Sequence, residues 1–274
     1  MTKILITGAS GRIGQLIRPY LREAYSHVVL SDLRAPEDVQ PNETFVRADL
    51  LDLSQLKSAL DGVTCVAHFG GYPVEGPWET ILQANIVGTM NILEAARSCG
   101  VERFVLASSN HIFGFYGRNH RLNGGEPERP DSRYGVSKVC SEALASLYAY
   151  KHRLRVMVLR IGKVDVRPDN RRRLSIWLHP EDLAQLLRIG FEHPDLKHEV
   201  FFGCSDNDLG WWDNSRAFSF GYRPRHSSRI FEASFPNDEA SDENQISNFY
   251  QGGDFCNIEY DHPGLFEAET KSCL

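Results

Sequence analysis

Tyr134 and Lys138 stand four residues apart in the run Tyr-Gly-Val-Ser-Lys, a spacing that sets both side chains on one face of a helix. An ammonium beside a phenol lowers the phenol's pKa from about 10 toward neutrality, which makes tyrosine a usable general base. Such a pair is common by chance on a surface, so it gains meaning only in company. Gly8-Ala-Ser-Gly11-Arg-Ile-Gly14 near the N-terminus supplies it. Glycines in that pattern let the backbone turn tightly, approach a pyrophosphate and offer helix N-terminal N–H groups to its charge. About twenty residues further on, Asp32 can accept hydrogen bonds from adenosine ribose hydroxyls and repel a 2'-phosphate. That favours NAD over NADP, although Arg34 can partly tolerate the extra phosphate. Asp49 and Leu50 follow the third apolar run; they can reach an adenine edge, and a solvated turn explains the carboxylate nearly as well.

These residues need elements that bring them together. Short β-branched runs alternate with longer amphipathic ones, the pattern of βαβ units in a parallel sheet. The expected strands cover 3–7, 27–31, 44–47, 64–68, 103–107 and 155–160, with a further one at 199–202. Helical periodicity spans 12–24, 54–60, 77–99, 132–152 and 180–193, and proline at 180 suits a first turn. The glycine run then lies between a strand and a helix, and Ser108-Ser-Asn-His111 ends a strand. The fold expected is α/β, a Rossmann-type doubly wound parallel sheet with a small C-terminal substrate lobe. Residues 1–162 form the dinucleotide-binding domain, with the helix at 180–193 packed on it, and 163–274 are mainly the covering lobe. The stretch 163–175 reads as a charged loop, and 236–248 as a polar run belonging to that lobe.

Composition removes other classes of function. The 274 residues are 42% hydrophobic and 24% charged, as in an ordinary soluble protein, and carry a formal net charge of -6. With a pI near 5.9, no excess of positive charge is left for a phosphate backbone or an anionic membrane surface. No apolar run approaches the ~20 residues that a bilayer span requires, and no secretion signal opens the chain. Six scattered cysteines (65, 99, 140, 204, 256 and 273) make neither a disulfide scaffold nor a metal pair, and read as reduced thiols of the cytoplasm.

The chain resembles the extended short-chain dehydrogenase/reductases in its glycine pattern, Asn85, Ser109 and the Tyr134/Lys138 pair. More closely, His68-Phe-Gly-Gly71, Ile81-Leu-Gln-Ala-Asn85-Ile-Val-Gly88, Ala107-Ser-Ser-Asn-His111, Arg129-Pro-Asp131, Arg160-Ile-Gly162, Trp211-Trp-Asp-Asn214 and Tyr250-Gln-Gly-Gly253 resemble the uronate dehydrogenase family. The resemblance spans nearly the whole chain. It implies NAD-dependent oxidation of the anomeric carbon of galacturonate or glucuronate to an aldarolactone.

Carried over by position, the resemblance makes Tyr134 the base, Lys138 its partner and a ribose ligand, and Ser109 a donor to the reacting oxygen. The cofactor set is Gly8, Ser10, Gly11, Arg12, Ile13, Gly14, Asp32, Asp49, Leu50, Phe69, Gly70, Asn85, Tyr134, Lys138 and Ile161. Asn110 and His111 hold sugar hydroxyls, and Arg172 grips the carboxylate, as a guanidinium suits an oxyanion. Two positions depart from the family: Lys163 and Pro73 replace serines. Lys163 is expected to converge with Arg172 on the C6 group, which leaves carboxylate, sulfonate and phosphate open. The partners expected are a small anionic sugar and further copies of the chain in a homo-oligomer, with no nucleic acid, membrane or metal.

The plain alternatives are a buried core role for His68, packing for Trp211 and Trp212, and a solvated loop for Arg171 to Arg173 with one arginine at most on the substrate. Nucleotide-sugar epimerases and dehydratases would call for a larger C-terminal lobe, and dehydratases a Thr-Asp-Glu-like triplet in place of Ser108-Ser-Asn110. A cofactor-sensing regulator would lack the Tyr134/Lys138 pair.

Overall fold

Seven segments whose sequence is mostly apolar form parallel strands. They are β1 (Ile4–Thr7), β2 (Val28–Asp32), β3 (Glu43–Arg47), β4 (Cys65–His68), β5 (Arg103–Ser109), β6 (Arg155–Ile161) and, after a separate short pair, β9 (His198–Gly203). The structure is a computed structural model that describes residues 2–235 and 246–262; most of the polar run at 236–248, and Cys273, lie outside the described residues. The sheet order is β3-β2-β1-β4-β5-β6-β9. β1 and β4, both wholly buried, meet where the order reverses, and ligands of such sheets bind outside the carboxyl ends of the strands at that point.

Helices cover both faces. α1 (Arg12–Ala24) lies on one face; α2 (Leu53–Ala59), α3 (Trp78–Ile81), α4 (Gly88–Ser98) and α5 (Arg133–His152) belong with the other. Ile4, Ile6, Ile17, Leu21, Leu183 and Leu187 build the first core, and Leu5, Leu56, Val66, Ile92, Phe104 and Val158 the second. The helix expected over 77–99 is interrupted between α3 and α4 by a π-helical stretch, Leu82–Val87, a distortion that recurs at functional sites. β5 and β6 run one or two residues past their expected ends. In the sheet register, Ser109 faces Ile161.

The stretch 163–175, expected to be a loop, is irregular over 165–170, while the segments on either side are built into the fold. β7 (Lys163–Val164) pairs with β8 (Trp177–Leu178), and α6 (Arg171–Leu174) is capped by the Asn170 side chain, which accepts from the Arg173 N–H. Val164, Leu174, Ile176, Trp177 and Leu178 are buried. Elements of two and four residues are too short to show a period, and the arginines mask the buried Leu174. α7 (Pro180–Glu192) packs on α1 and β5. β9 lies within the part assigned mainly to the covering lobe, and it pairs with β6 as the seventh strand. Two further short helices, α8 (Ser215–Ser219) and α9 (Ile246–Phe249), belong to the C-terminal part. Ile112, Phe113 and Leu122 from the segment after β5 pack with Ile176, Phe202 and Trp212 in a small separate core. Trp212 stacks on Phe202 at 5.1 Å, so it serves packing.

Candidate active site

The glycine turn follows β1. Gly8 has φ +68°, and a Cβ on it would lie 2.7 Å from the Phe69 carbonyl carbon and 2.8 Å from the Gly70 nitrogen; only glycine lets the ends of β1 and β4 approach so closely. A Cβ on Gly14 would meet the Gly8 oxygen at 2.5 Å. Gly11 caps α1 without any side-chain hydrogen bond, which leaves the first turn's N–H groups available to an anion. At the end of β2, Asp32 accepts from the Ser10 N–H at 3.0 Å and the Leu33 N–H at 2.7 Å. Its carboxylate is thereby fixed beside the turn. Asp49 accepts from the Leu51 N–H at 2.9 Å, a turn contact. Leu50 lies 3.2 Å from where a Gly70 Cβ would stand and 3.1 Å from that of Gly88. This backbone cradle and its adjoining carboxylate fit a dinucleotide.

Ser109, Tyr134 and Lys138 come together across β5 and the start of α5. Lys138 Nζ donates to the Ala107 carbonyl at 2.9 Å and stands 5.5 Å from the Tyr134 ring centroid. Burial pushes the Tyr134 phenol up to about 12; a hydrogen bond with Ser109 pulls it down and the Asp131 carboxylate raises it. Burial likewise lowers Lys138 to about 8, against the Glu142 carboxylate, which raises it. The expectation that Lys138 draws the phenol toward neutrality is not met by these residues alone, because burial dominates and the Asp131 carboxylate adds to it. The start of α5 is also held by Glu75, whose carboxylate accepts from the Tyr134 N–H at 3.0 Å and pairs with Arg133 at 2.8 Å. Sequence reasoning missed Glu75, and a lone acid in a Pro/Gly loop gave no signal.

Asn85, in the π-helical stretch, uses its whole amide on protein. Its Oδ1 accepts from the Tyr72 N–H at 2.7 Å, and its Nδ2 donates to the Tyr72 carbonyl at 3.1 Å and to Ser137 Oγ at 3.0 Å. It joins the loop after β4 to α5. His68 is 2% exposed, and its Nδ1 shares a hydrogen bond with Thr7 Oγ1 at 2.7 Å. Burial, aided by the Lys138 charge, lowers it to about 3, so it is a neutral core histidine.

Beyond Tyr134 lies a cluster of polar side chains. Asn110 is buried, and its Nδ2 has no hydrogen-bond partner, a donor that a ligand's acceptor can satisfy. His111 Nδ1 donates to Asp131 at 2.7 Å, and its ring stacks on Phe255 at 4.0 Å. Arg172 donates from Nε to the Gln251 carbonyl at 3.1 Å and again from its terminal nitrogen. Burial lowers it to about 10, and the second influence is repulsion from Arg118. Arg118 donates to the Tyr250 carbonyl at 3.3 Å and the Ser247 carbonyl at 2.7 Å, and lies 5.6 Å from the Trp211 centroid. Among the described residues neither guanidinium has a carboxylate within 4.0 Å. Arg118 and Phe255 were not singled out from sequence, since their partners lie far along the chain.

The charges that act most on Lys163 are those of Arg173, Arg12, Asp169 and Asp165. Arg171 donates to the Phe235 carbonyl at 2.7 Å, and Arg173 pairs with Asp169, so of the three arginines Arg172 alone bonds the Gln251 carbonyl. His179, Glu181 and His226 form the one metal-like grouping among the described residues. The His179 Nδ1 accepts from the Glu181 N–H at 3.2 Å, which puts the ring proton on Nε2 and removes that nitrogen as a ligand.

The chain belongs to the NAD dependent epimerase/dehydratase family, whose model matches residues 4–165. Within it, the chain stands with the uronate dehydrogenases. It is 41% identical over 256 residues to the uronate dehydrogenase of Pseudomonas syringae pv. tomato, covering 92% of each chain. A crystal structure of a mutant uronate dehydrogenase from Agrobacterium tumefaciens, complexed with NAD, superposes with a TM-score of 0.88 at 37% identity over 94% of this chain and 97% of that one. The NAD-dependent glucose-6-phosphate dehydrogenase of Haloferax volcanii is 36% identical over 250 residues, 83% of this chain and 95% of its own.

Proposed function

We propose that the protein oxidises C1 of galacturonate or glucuronate to the aldarolactone with NAD. The observation that carries this is Arg172, a desolvated guanidinium held by one carbonyl oxygen, that of Gln251, and repelled by the charge of Arg118. Such a site is unfavourable until an anion enters it. The orphan amide of Asn110 and the His111 ring, fixed by Asp131 and Phe255, orient the sugar hydroxyls between that anchor and Tyr134.

Bound NAD supplies a hydride acceptor and a positive nicotinamide ring, whose charge favours the phenolate. Tyr134 takes the proton of the C1 hydroxyl. Ser109 donates to the reacting oxygen, and the Lys138 ammonium, anchored on Ala107, stabilises the phenolate and meets the ribose. The turn at Gly8, Ser10, Gly11, Arg12, Ile13 and Gly14 takes the pyrophosphate, and Asp32 takes the adenosine ribose, with NAD favoured over NADP. Leu50, Phe69, Gly70 and Ile161 line the cofactor's path. Asn85 acts at one remove, by positioning the loop after β4.

No described helix is long and apolar enough to cross a membrane; the five described cysteines, all free thiols, support a cytoplasmic site of action. Exposed Met90, Leu147 and Tyr150 on α4 and α5 support a homo-oligomer. The segments after β6, other than α7 and β9, form the substrate-covering lobe.

NADH production from galacturonate, glucuronate, sulfoquinovose, glucose 6-phosphate and glucose tests the reading. Uronates should lead the panel, and Tyr134→Phe should lower kcat by roughly a hundredfold or more with NAD binding intact. Glucose turning over as well as the uronates would refute it; a 6-phospho or 6-sulfo sugar in first place would move the substrate class.

A further inference from the structure

We infer that Lys163 serves the cofactor's pyrophosphate and not the anionic end of the sugar. The inference rests on NAD being the cofactor, and it reverses what position and charge suggested for this lysine. β7 continues in ladder geometry to Asp165, since the Lys163 N–H bonds the Ile176 carbonyl at 2.8 Å and the Asp165 N–H the Leu178 carbonyl at 3.2 Å. Residues two apart on a strand face the same way. The Asp165 carboxylate is ion-paired with Arg12, the first residue of α1 and part of the glycine turn. Lys163 therefore looks toward the helix terminus where the pyrophosphate is received.

The charges around it agree. Asp165 is taken by Arg12 and Asp169 by Arg173, so among the described residues Lys163 has no carboxylate within 4.0 Å. Burial, Arg173 and Arg12 all depress its pKa. Lys163 is thus an uncompensated positive charge close to an uncapped helix N-terminus, beside an Arg12 already paired with Asp165, and a diphosphate is a ligand that neutralises it. After burial, Arg172 is acted on most by Arg118, Asp131 and Cys256, and of its charged neighbours it shares only Arg173 with Lys163.

Fluorescence titration of NADH into Lys163→Met separates the two assignments. The Kd should rise about tenfold at low salt, with a shallower dependence on ionic strength than the parent protein, and Lys163→Arg should restore both. The KM for galacturonate at saturating NAD should move less than twofold. An NADH Kd within twofold of the parent value would overturn the inference, as would a rise in the sugar's KM alone. A parent protein that fails to bind NADH at all would instead bring down the cofactor reading beneath it. Matching melting temperatures for the variants exclude misfolding as the cause.

Discussion

Two groups of cations flank Tyr134, and they are built on opposite principles. On the side of the glycine turn, Arg12 and Arg173 each have a carboxylate, and Lys163 alone is left over. On the far side, Arg118 and Arg172 have backbone carbonyls for partners and repel one another. A paired cation keeps its place whether or not a ligand is present. A pair that hydrogen-bonds only carbonyls, and feels carboxylates only from beyond ion-pair distance (Asp131 on Arg172, Asp254 on Arg118), favours a ligand that brings negative charge closer. The comparison suggests that cofactor recognition here is largely preformed, while sugar recognition depends on the charge that the sugar brings.

The largest effect that this contrast leads us to expect is at Arg172. Arg172→Met should lower kcat/KM for galacturonate by a hundredfold or more, because losing a buried charge partner costs roughly 2 to 5 kcal/mol. Galactose, the neutral counterpart, should start at that low level and change little. Equal losses on both sugars would mean that Arg172 merely braces the segment around Gln251. A smaller effect is expected at Arg118. It reaches the sugar through Arg172 and the Ser247 and Tyr250 carbonyls, so Arg118→Met should raise the galacturonate KM about tenfold with kcat nearly kept. A fall in kcat for galactose as well would show that its whole role is to hold α9 in place.

The sheet was legible because its strands are buried on both faces and so appear as unbroken apolar runs, and five helices show their period. The Tyr134/Lys138 pair and the glycine turn were legible because short spacing along one element marks each, whereas Ser109 came from the family resemblance. What escaped has a common cause. Arg118 meets carbonyls that lie 129 and 132 positions away, and a carbonyl leaves no mark in residue type. Glu75 acts on a backbone N–H, again invisible in composition. The side of the site to which Lys163 belongs depends on the two-residue strand β7, too brief for any periodicity, and the family resemblance pointed the other way.

His68, closed in behind β1 and β4, has a consequence for acid tolerance. An imidazole in the unfolded chain takes up a proton near pH 6.5, whereas burial delays this in the folded chain until about pH 3. Its folded pKa is depressed, so the stability it contributes is complete above about 6.5 and drains away below that point. Each further unit of acidification down to the folded value favours unfolding by about 1.4 kcal/mol. Urea midpoints should therefore begin to fall below about pH 6.5, before most carboxylates titrate, and a midpoint unchanged from about pH 7 to about pH 5 would contradict this. The side chain that closes the sheet beneath the cofactor cradle would then also set the acid limit of the native state.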